Sequence, residues 1–242
     1  MDDLDAAIQR WLKGDAYTVT DEFDLEADEN VVAVEPRGAP PQGLAVLIGD
    51  CVHNMRSALD NLIYDLSWAQ GGPLTKEVAT GCEFPVFGPR PPRTSELVKR
   101  IGAIDPPAQA VIKALQPHHR GNDFASDPVW VLDQLWNIDK HRSLHLTLFG
   151  HAGTGIGAPG EMFHAEHITL LSGPIRQRGR TPLLRYRLKP LPGTKVNMKN
   201  APSFDVAFGQ GTPCAGSPVT PTLTALRTYV ADQVREPLIR YL

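Results

Sequence analysis

Cysteine is scarce in this sequence, and long apolar runs are missing from it. The three cysteines, Cys51, Cys82 and Cys214, lie far apart and form no CxxC pair. The chain therefore lacks the thiolate pairs of a structural zinc site, and its separated thiols predict a cytoplasmic protein. No stretch of about 18 apolar residues occurs, so we expect no membrane-spanning helix and no membrane partner. The N-terminal region is acidic and lacks the apolar segment of a secretory signal.

An excess of positive charge is also missing. Lysine and arginine total 24 against 27 acidic residues, and the net charge of −3 argues against indiscriminate binding to nucleic acid. Apolar residues make up 42% of the chain and charged residues 21%, as in ordinary globular proteins rather than disordered ones. The 21 glycines and 22 prolines predict many turns and long connections.

Three segments have the apolar spacing of helices. The longest, about 42–70, carries an apolar stripe that lasts about six turns and needs partner helices to cover it. A second helix, about 128–145, begins after Asp127, an N-cap residue followed by Pro128 at the first helical position. A C-terminal helix is predicted over about 219–241, with a kink at Pro237.

Shorter segments have the alternation and the flanking turns of strands. Residues 16–35 predict a β-hairpin that follows a short N-terminal helix. Strands at 167–171, 183–188 and 204–208 predict a small antiparallel sheet at about 165–210. The segment Gly153-Thr-Gly-Ile-Gly157 lacks the GK[ST] ending of a phosphate-binding loop and favours a flexible turn.

Together these elements predict an α+β fold with a helical-bundle core. The bundle consists of the long helix, the second helix and the C-terminal helix, which bury their apolar faces against one another. We expect a single domain, 1–242, made of an N-terminal helix and hairpin at 1–38, a helical core at 42–145, a sheet region at 146–213 and a C-terminal helix at 218–242 that returns to the core. An exposed apolar side of the long helix would allow a homodimer.

The long helix and the second helix carry an unusual number of polar side chains. On the long helix, His53, Arg56 and Asp60 share one face at i, i+3 and i+7. On the second helix, the apolar spacing places Asp139 and Arg142 beneath the same face as the core residues. Because a buried charge is costly unless it is paired, we expect Arg56 to pair with Asp139, or Asp60 with Arg142.

One interpretation of this cluster is catalytic. His141 would act as general acid or base, Asp139 would orient it, and Arg56 or Arg142 would hold an anionic group such as a phosphate. Neighbouring side chains would bind the ligand, namely His53, Asn54, Asp60, Asn61, Asn137, Lys140 and Arg142. These residue types suit phosphodiester chemistry, but they also occur in helices that catalyse nothing. The sequence therefore leaves open whether the protein is an enzyme.

Two further interpretations use the same residues differently. In one, the Arg–Asp pairs are a buried helix clamp in a non-catalytic module, because the guanidinium fork can bind carboxylates bidentately. In the other, His141 and His145 stand at i and i+4 and form a metal half-site that His53 completes. No Glu follows His141, so the hydrolytic zincin mechanism lacks its base. The sequence requires no cofactor, and a divalent metal would serve only this last interpretation.

Two stretches of these helices resemble the motifs of a group of uncharacterised bacterial proteins. They are Ile48-Gly-Asp-Cys-Val-His-Asn-Met-Arg-Ser-Ala-Leu-Asp60, which contains GDxxHNxRSALD, and Asn137-Ile-Asp-Lys-His-Arg142, which contains NIDKHR. The intervening Leu115-Gln-Pro117 is similar to that group's pattern, and the order of the pieces matches across about 17–145. The resemblance implies a shared architecture, since no activity is established for the group.

A more distant resemblance is to HEPN-type helical domains, which include RNA-cleaving toxins and defence nucleases. Arg56 stands on a long helix as that family requires, but the position five residues later is Asn61 where the nuclease motif has His. The resemblance implies that RNA or another phosphate-bearing ligand is bound at the inter-helix cluster. The arrangement of His53 with His141 and His145 is also similar to the three-His site of DinB-like bundles.

Overall fold

The computed structural model describes residues 2–151, 163–190 and 203–242, so the Gly153–Gly157 turn lies outside the described residues. The α+β class is confirmed. The chain divides into two compact units, each assembled from separated stretches. Unit 1 comprises Met1–Ala45, His145–Gln210 and Ala215–Val219, and unit 2 comprises Val46–Leu144, Gly211–Cys214 and Thr220–Leu242. The single domain expected from the sequence stays a prediction.

In unit 1 the predicted hairpin is confirmed, and it belongs to a larger sheet. The strands of this sheet are β1 Tyr17–Asp24, β2 Glu29–Pro36, β4 Phe163–Leu170 and β6 Thr181–Pro190. They pair antiparallel in the order β1-β2-β6-β4. The hairpin turn contains Asp28, whose φ of 54° is left-handed. Arg187 Nε and Nη2 donate to the carbonyl oxygens of Asp28 and Ala27 at 2.7 and 2.8 Å, so β6 holds the turn in place.

Unit 1 also contains a second sheet that sequence reasoning did not separate from the first. It consists of β3 Leu146–His151, β5 Gly173–Pro174 and β7 Ser203–Phe208, paired antiparallel in the order β5-β3-β7. Helix α1, Asp2–Lys13, contacts β7 and buries Leu4, Ile8 and Leu12 along one face. The strands predicted at about 165–210 are therefore divided between two sheets.

Unit 2 is helical. The long helix is confirmed as α2, Gln42–Trp68, of which the first residues, Gln42–Ala45, belong to unit 1. The helices that follow are α3 Lys76–Gly81, α4 Thr94–Ile101, α5 Pro106–Ala114, a 3₁₀ segment Pro117–Ser126 and α6 Pro128–His141. The C-terminal part consists of α7 Val219–Thr228, a π-helical segment Tyr229–Arg235 and α8 Glu236–Ile239.

The start of α6 was predicted correctly, and its end was not. Asp127 accepts hydrogen bonds from the N–H groups of Val129 and Trp130, as an N-cap does. The helix stops at His141 instead of about residue 145, because Arg142 is extended with φ −165° and ψ 157°. Leu144, Leu146 and Leu148 are all buried with a period of two, which is the spacing of a strand. This alternation directs the chain into β3.

The C-terminal helix is interrupted rather than simply kinked at Pro237. The π-helical segment ends just before that residue, and the Glu236 N–H bonds the Ala231 carbonyl five positions back. Proline lacks an N–H donor and its ring crowds the preceding turn, so the ordinary i to i−4 ladder cannot continue through it. The wider π-helical turn occupies the residues that precede this break.

Candidate functional site

The polar cluster of unit 2 lies where α2 and α6 pack antiparallel. The carboxylate of Asp139 lies against Gly49, and the guanidinium of Arg56 lies near Asp133. From the Gly49–Asp139 contact to the Arg56–Asp133 contact, the residue number increases along α2 and decreases along α6, so the two helices run in opposite directions. Seven residues separate Gly49 from Arg56, which is about 10 Å along a helix axis. The cluster therefore has two ends, one at Arg56 and one at Asp139.

At one end, Arg56 is enclosed, with only 4% of its side chain exposed. Its Nη2 donates a 2.8 Å hydrogen bond to the Phe84 carbonyl oxygen. Its Nη1 lies 3.1 Å from Asp60 Oδ1, and its Nε lies 3.7 Å from Asp133 Oδ1, although neither N–H is aligned as a hydrogen bond. The guanidinium carbon is 5.2 Å from the ring centre of Trp136. Arg56 therefore joins α2, α6 and the segment that precedes α4.

Both carboxylates around Arg56 are themselves held by hydrogen bonds. Asp60 Oδ1 accepts a 2.8 Å bond from the Phe84 N–H, so Phe84 is bound through both its carbonyl and its amide. Asp133 Oδ2 accepts from the Asn137 amide at 3.0 Å. Burial raises the pKa of Asp60 and of Asp133 above the ordinary value, and the charge of Arg56 offsets part of each increase. The guanidinium thus favours the ionised form of two partly desolvated acids.

The pairing expected from the sequence is not the one that forms. Arg56 pairs with Asp60 on its own helix and with Asp133 across the interface, rather than with Asp139. Arg142 cannot continue the face that would bring it to Asp60, because α6 has already ended at His141. Asp133 and the Phe84 carbonyl were missed. The spacing Asp133, Trp136, Lys140 is helical and could have indicated the first of them.

At the other end, Asp139 is partly buried beside Gly49. Burial raises the pKa of Asp139, the nearby charge of Asp50 raises it further, and His53 lowers it. His53 is exposed on α2, and its Nε2 lies 3.4 Å from the Ser57 hydroxyl. His53 is thus close enough to Asp139 to lower the pKa of that carboxyl, whereas the exposed His141 is not among the groups that shift it.

The remaining predicted ligand-binding residues are mostly at the surface. Lys140, His141 and Arg142 form an exposed group at the C-terminal end of α6, where cations complement the helix dipole. Lys140 Nζ lies 3.7 Å from the ring centre of Trp136. Two further candidates, Asn54 and Asn61, are exposed on α2. Of the predicted site, Arg56 is the residue with the least access to solvent.

The three-His arrangement is not assembled in the part of the chain that the structure describes. No group of three or more His, Cys, Asp or Glu there is placed to hold a metal ion. The physical reason lies at the end of α6, since His141 is its last residue and His145 precedes β3. The two histidines therefore do not share a helix face, and their i, i+4 spacing does not bring their side chains together.

Comparisons with known proteins returned no match. No family model matches the chain, and neither a curated protein nor a solved structure resembles it significantly. The resemblances to the bacterial group and to HEPN-type domains therefore stay predictions. Among the helices within the described ranges, none combines the length and the hydropathy needed to cross a membrane.

Proposed function

We propose that the Arg56 cluster is a helix clamp in a non-catalytic binding module. The observation that carries this proposal is the enclosure of Arg56, which is 4% exposed between two carboxylates and a carbonyl oxygen. A phosphate would have to displace Asp60 or Asp133 to reach the guanidinium. Either displacement would leave a partly desolvated carboxylate without its cation, which is costly.

The clamp proposal predicts a particular pattern of energetic coupling. Arg56→Met should lower the free energy of unfolding by about 3–5 kcal/mol, because it removes the cation from two partly buried acids. In a double-mutant cycle, Arg56→Met with Asp133→Asn should show a coupling of about 0.5–3 kcal/mol, while Arg56→Met with Asp139→Asn should be additive within about 0.5 kcal/mol. Equal coupling to both acids would contradict the clamp geometry.

A cleavage assay separates the clamp from the catalytic interpretation. Single-stranded RNA incubated with the full chain should remain intact, and Arg56→Lys and His141→Ala should not change that result. Cleavage by the original protein that is lost in Arg56→Lys, with an unfolding free energy close to that of the original protein, would overturn the proposal. The stability measurement is needed because loss of activity in an unfolded variant carries no information about chemistry.

A second candidate function is the binding of RNA or another phosphate-bearing ligand at the surface of unit 2. The favouring observation is the exposure of Lys140, His141 and Arg142 at the end of α6, with His53 also exposed on α2. Phosphate affinity would then come from these groups and not from Arg56. Labelled RNA should bind more weakly to Lys140→Gln and Arg142→Gln. The slope of the logarithm of the binding constant against the logarithm of the salt concentration should decrease in magnitude by roughly 0.7 for each phosphate that the variant no longer neutralises. Unchanged binding would remove this candidate.

The location and assembly of the module belong to the same proposal. The three cysteines are free thiols, which is usual in a reducing compartment and supports a cytoplasmic location. A homodimer stays a prediction that sedimentation of the full chain can test.

A further inference from the structure

Unit 1 contains a cavity that is separate from the polar cluster of α2 and α6. Its volume is about 370 Å³, near the lower end of the range for small-molecule sites. It lies between the start of β3, the β5 segment and the turn that follows β7. The buried side chains of Ile175 and Phe208 provide apolar walls, and His145, Arg176, Gln177 and Gln210 provide polar ones.

His145 is fixed within this cavity from two sides. Gln177 Nε2 lies 2.7 Å from His145 Nε2, which is hydrogen-bond distance. On the other side the imidazole lies against Gly209, where an added Cβ would come within 2.8 Å of the ring Cγ. The Gly209 N–H also donates to the His145 carbonyl oxygen at 2.7 Å. An exposed histidine is thus kept in one orientation by a glycine that leaves room for it.

Arginine recurs in the β5–β6 region, at positions 176, 178, 180, 185 and 187, and of these Arg176 lines the cavity. Arg180, Arg185 and Arg187 each pair with an acid of the hairpin, namely Glu22, Asp24 and Asp28. Within the described residues, the guanidinium of Arg176 has no such acidic partner and lines the cavity. Its charge is therefore available to a ligand in the cavity, whereas the charges of Arg180, Arg185 and Arg187 are paired with acids of the hairpin and Arg178 lies outside the cavity lining.

From this arrangement we infer that the cavity binds a small molecule with a carboxylate or phosphate group on an apolar body. The Arg176 guanidinium binds the anion through its planar fork. His145 and Gln177 supply directional hydrogen bonds beside it. The apolar body lies against Ile175 and Phe208, where it is removed from water.

The inference is tested by NMR titration of the full, ¹⁵N-labelled chain with three probes that share a phenyl ring. Benzoate and phenyl phosphate carry the two anionic groups, and benzamide is the neutral counterpart of benzoate. At least one anion should shift the Gly209 and Gln210 amide resonances with a dissociation constant of about 10 mM or lower, as expected for ligands of this size. Benzamide should bind at least tenfold more weakly. The anion that binds more tightly identifies the ligand's charged group.

Matched variants assign the binding to particular side chains. Arg176→Gln should weaken the anion at least tenfold, and Arg178→Gln, which removes the same charge outside the cavity lining, should change it less than twofold. Gly209→Ala should displace the imidazole and weaken binding severalfold. Gly173→Ala on β5 is its control, because an added Cβ there meets nothing within 4 Å.

Three results would overturn the inference. They are the absence of saturation with both anions, an affinity for benzamide equal to that for the tighter-binding anion, and equal losses in Arg176→Gln and Arg178→Gln. Arg176 is exposed, so its substitution keeps the test valid even if Gly209→Ala does not fold. The site lies in unit 1 and shares no residue with the α2–α6 cluster, so this test and those of the proposed function are independent.

Discussion

The carboxylate of Asp139 lies so close to Gly49 that an added Cβ would be 2.7 Å from its carbon. Gly49→Ala should therefore displace the Asp139 carboxylate and lower the free energy of unfolding by about 1 kcal/mol. Gly43→Ala on the same helix is the control, because nothing lies within 4 Å of its added Cβ. That variant should be up to about 1 kcal/mol more stable, since alanine favours helix over glycine. Urea unfolding of both variants measures the difference, and a neutral Gly49→Ala would contradict the close contact.

Asp139 should make the protein less stable as the pH rises. Its pKa is raised in the folded state, so the folded protein retains a proton that the unfolded chain has already lost, and stability falls between the unfolded and the folded pKa. Asp139→Asn removes this penalty. At pH 7 we expect this substitution to increase the free energy of unfolding by no more than about 1 kcal/mol, because solvent screens a partly exposed group. Below about pH 4 we expect no increase, because the carboxyl is then protonated in the unfolded chain as well.

Thermal unfolding of Asp139→Asn across this pH range provides the measurement. Asp50→Asn should change stability in the same direction at pH 7, because the charge of Asp50 raises the pKa of Asp139. His53→Ala should raise the pKa of Asp139, since His53 lowers it, whereas Asp50→Asn should lower that pKa. A destabilised Asp139→Asn at pH 7 would indicate that this acid has a cation partner after all.

Asp127 combines an N-cap with an ion pair, and two substitutions separate the contributions. Its Oδ2 lies 2.7 Å from Arg120 Nε, while its Oδ1 accepts the first N–H groups of α6. Asp127→Asn keeps an N-cap acceptor and should lose less than about 1 kcal/mol. Asp127→Ala loses both and should cost about 1–2 kcal/mol more. Chemical denaturation with the exposed Asp123→Ala as control tests this order, and equal losses in the two Asp127 variants would refute it.

Cys214 should be inert towards alkylation at neutral pH. Burial raises the pKa of its thiol to about 12. At pH 8 the reactive thiolate is then on the order of one part in ten thousand. Cys214→Ser should therefore leave the rapid phase of iodoacetamide labelling unchanged, as mass spectrometry of the modified chain can show. Loss of one rapidly labelled equivalent would mean that the thiol is accessible and ionised.

The helices of the candidate site could be predicted because their signals are local. The apolar stripe of α2 and the Asp127-Pro128 start of α6 are readable within a few residues. The partner of Arg56 could not be predicted in the same way. Asp133 and Asp139 stand six positions apart on α6, and the choice between them depends on the closeness of the helices at Gly49. That distance is a property of packing and not of either helix alone.

His141 and His145 show a different limit of prediction from sequence. HxxxH has helical spacing, but the chain around His145 also alternates leucines at 144, 146 and 148, which is strand spacing. The two patterns overlap, and the strand pattern prevails from Leu146 onwards, where β3 pairs with β7. A residue predicted for a metal site on a helix thus becomes a wall of a cavity beside a sheet.

The position of β6 in the larger sheet has a consequence for synthesis of the chain. Asn30 of β2 pairs with Tyr186 of β6, so Asn30 leaves the ribosome 156 residues before its partner on the strand that covers this edge of the hairpin. At about 5–20 residues per second, that edge waits roughly 8–30 s with its backbone groups unpaired. The nascent hairpin is therefore an aggregation hazard during translation, and mutations that slow elongation before β6 should lower the yield of folded protein without altering the finished structure.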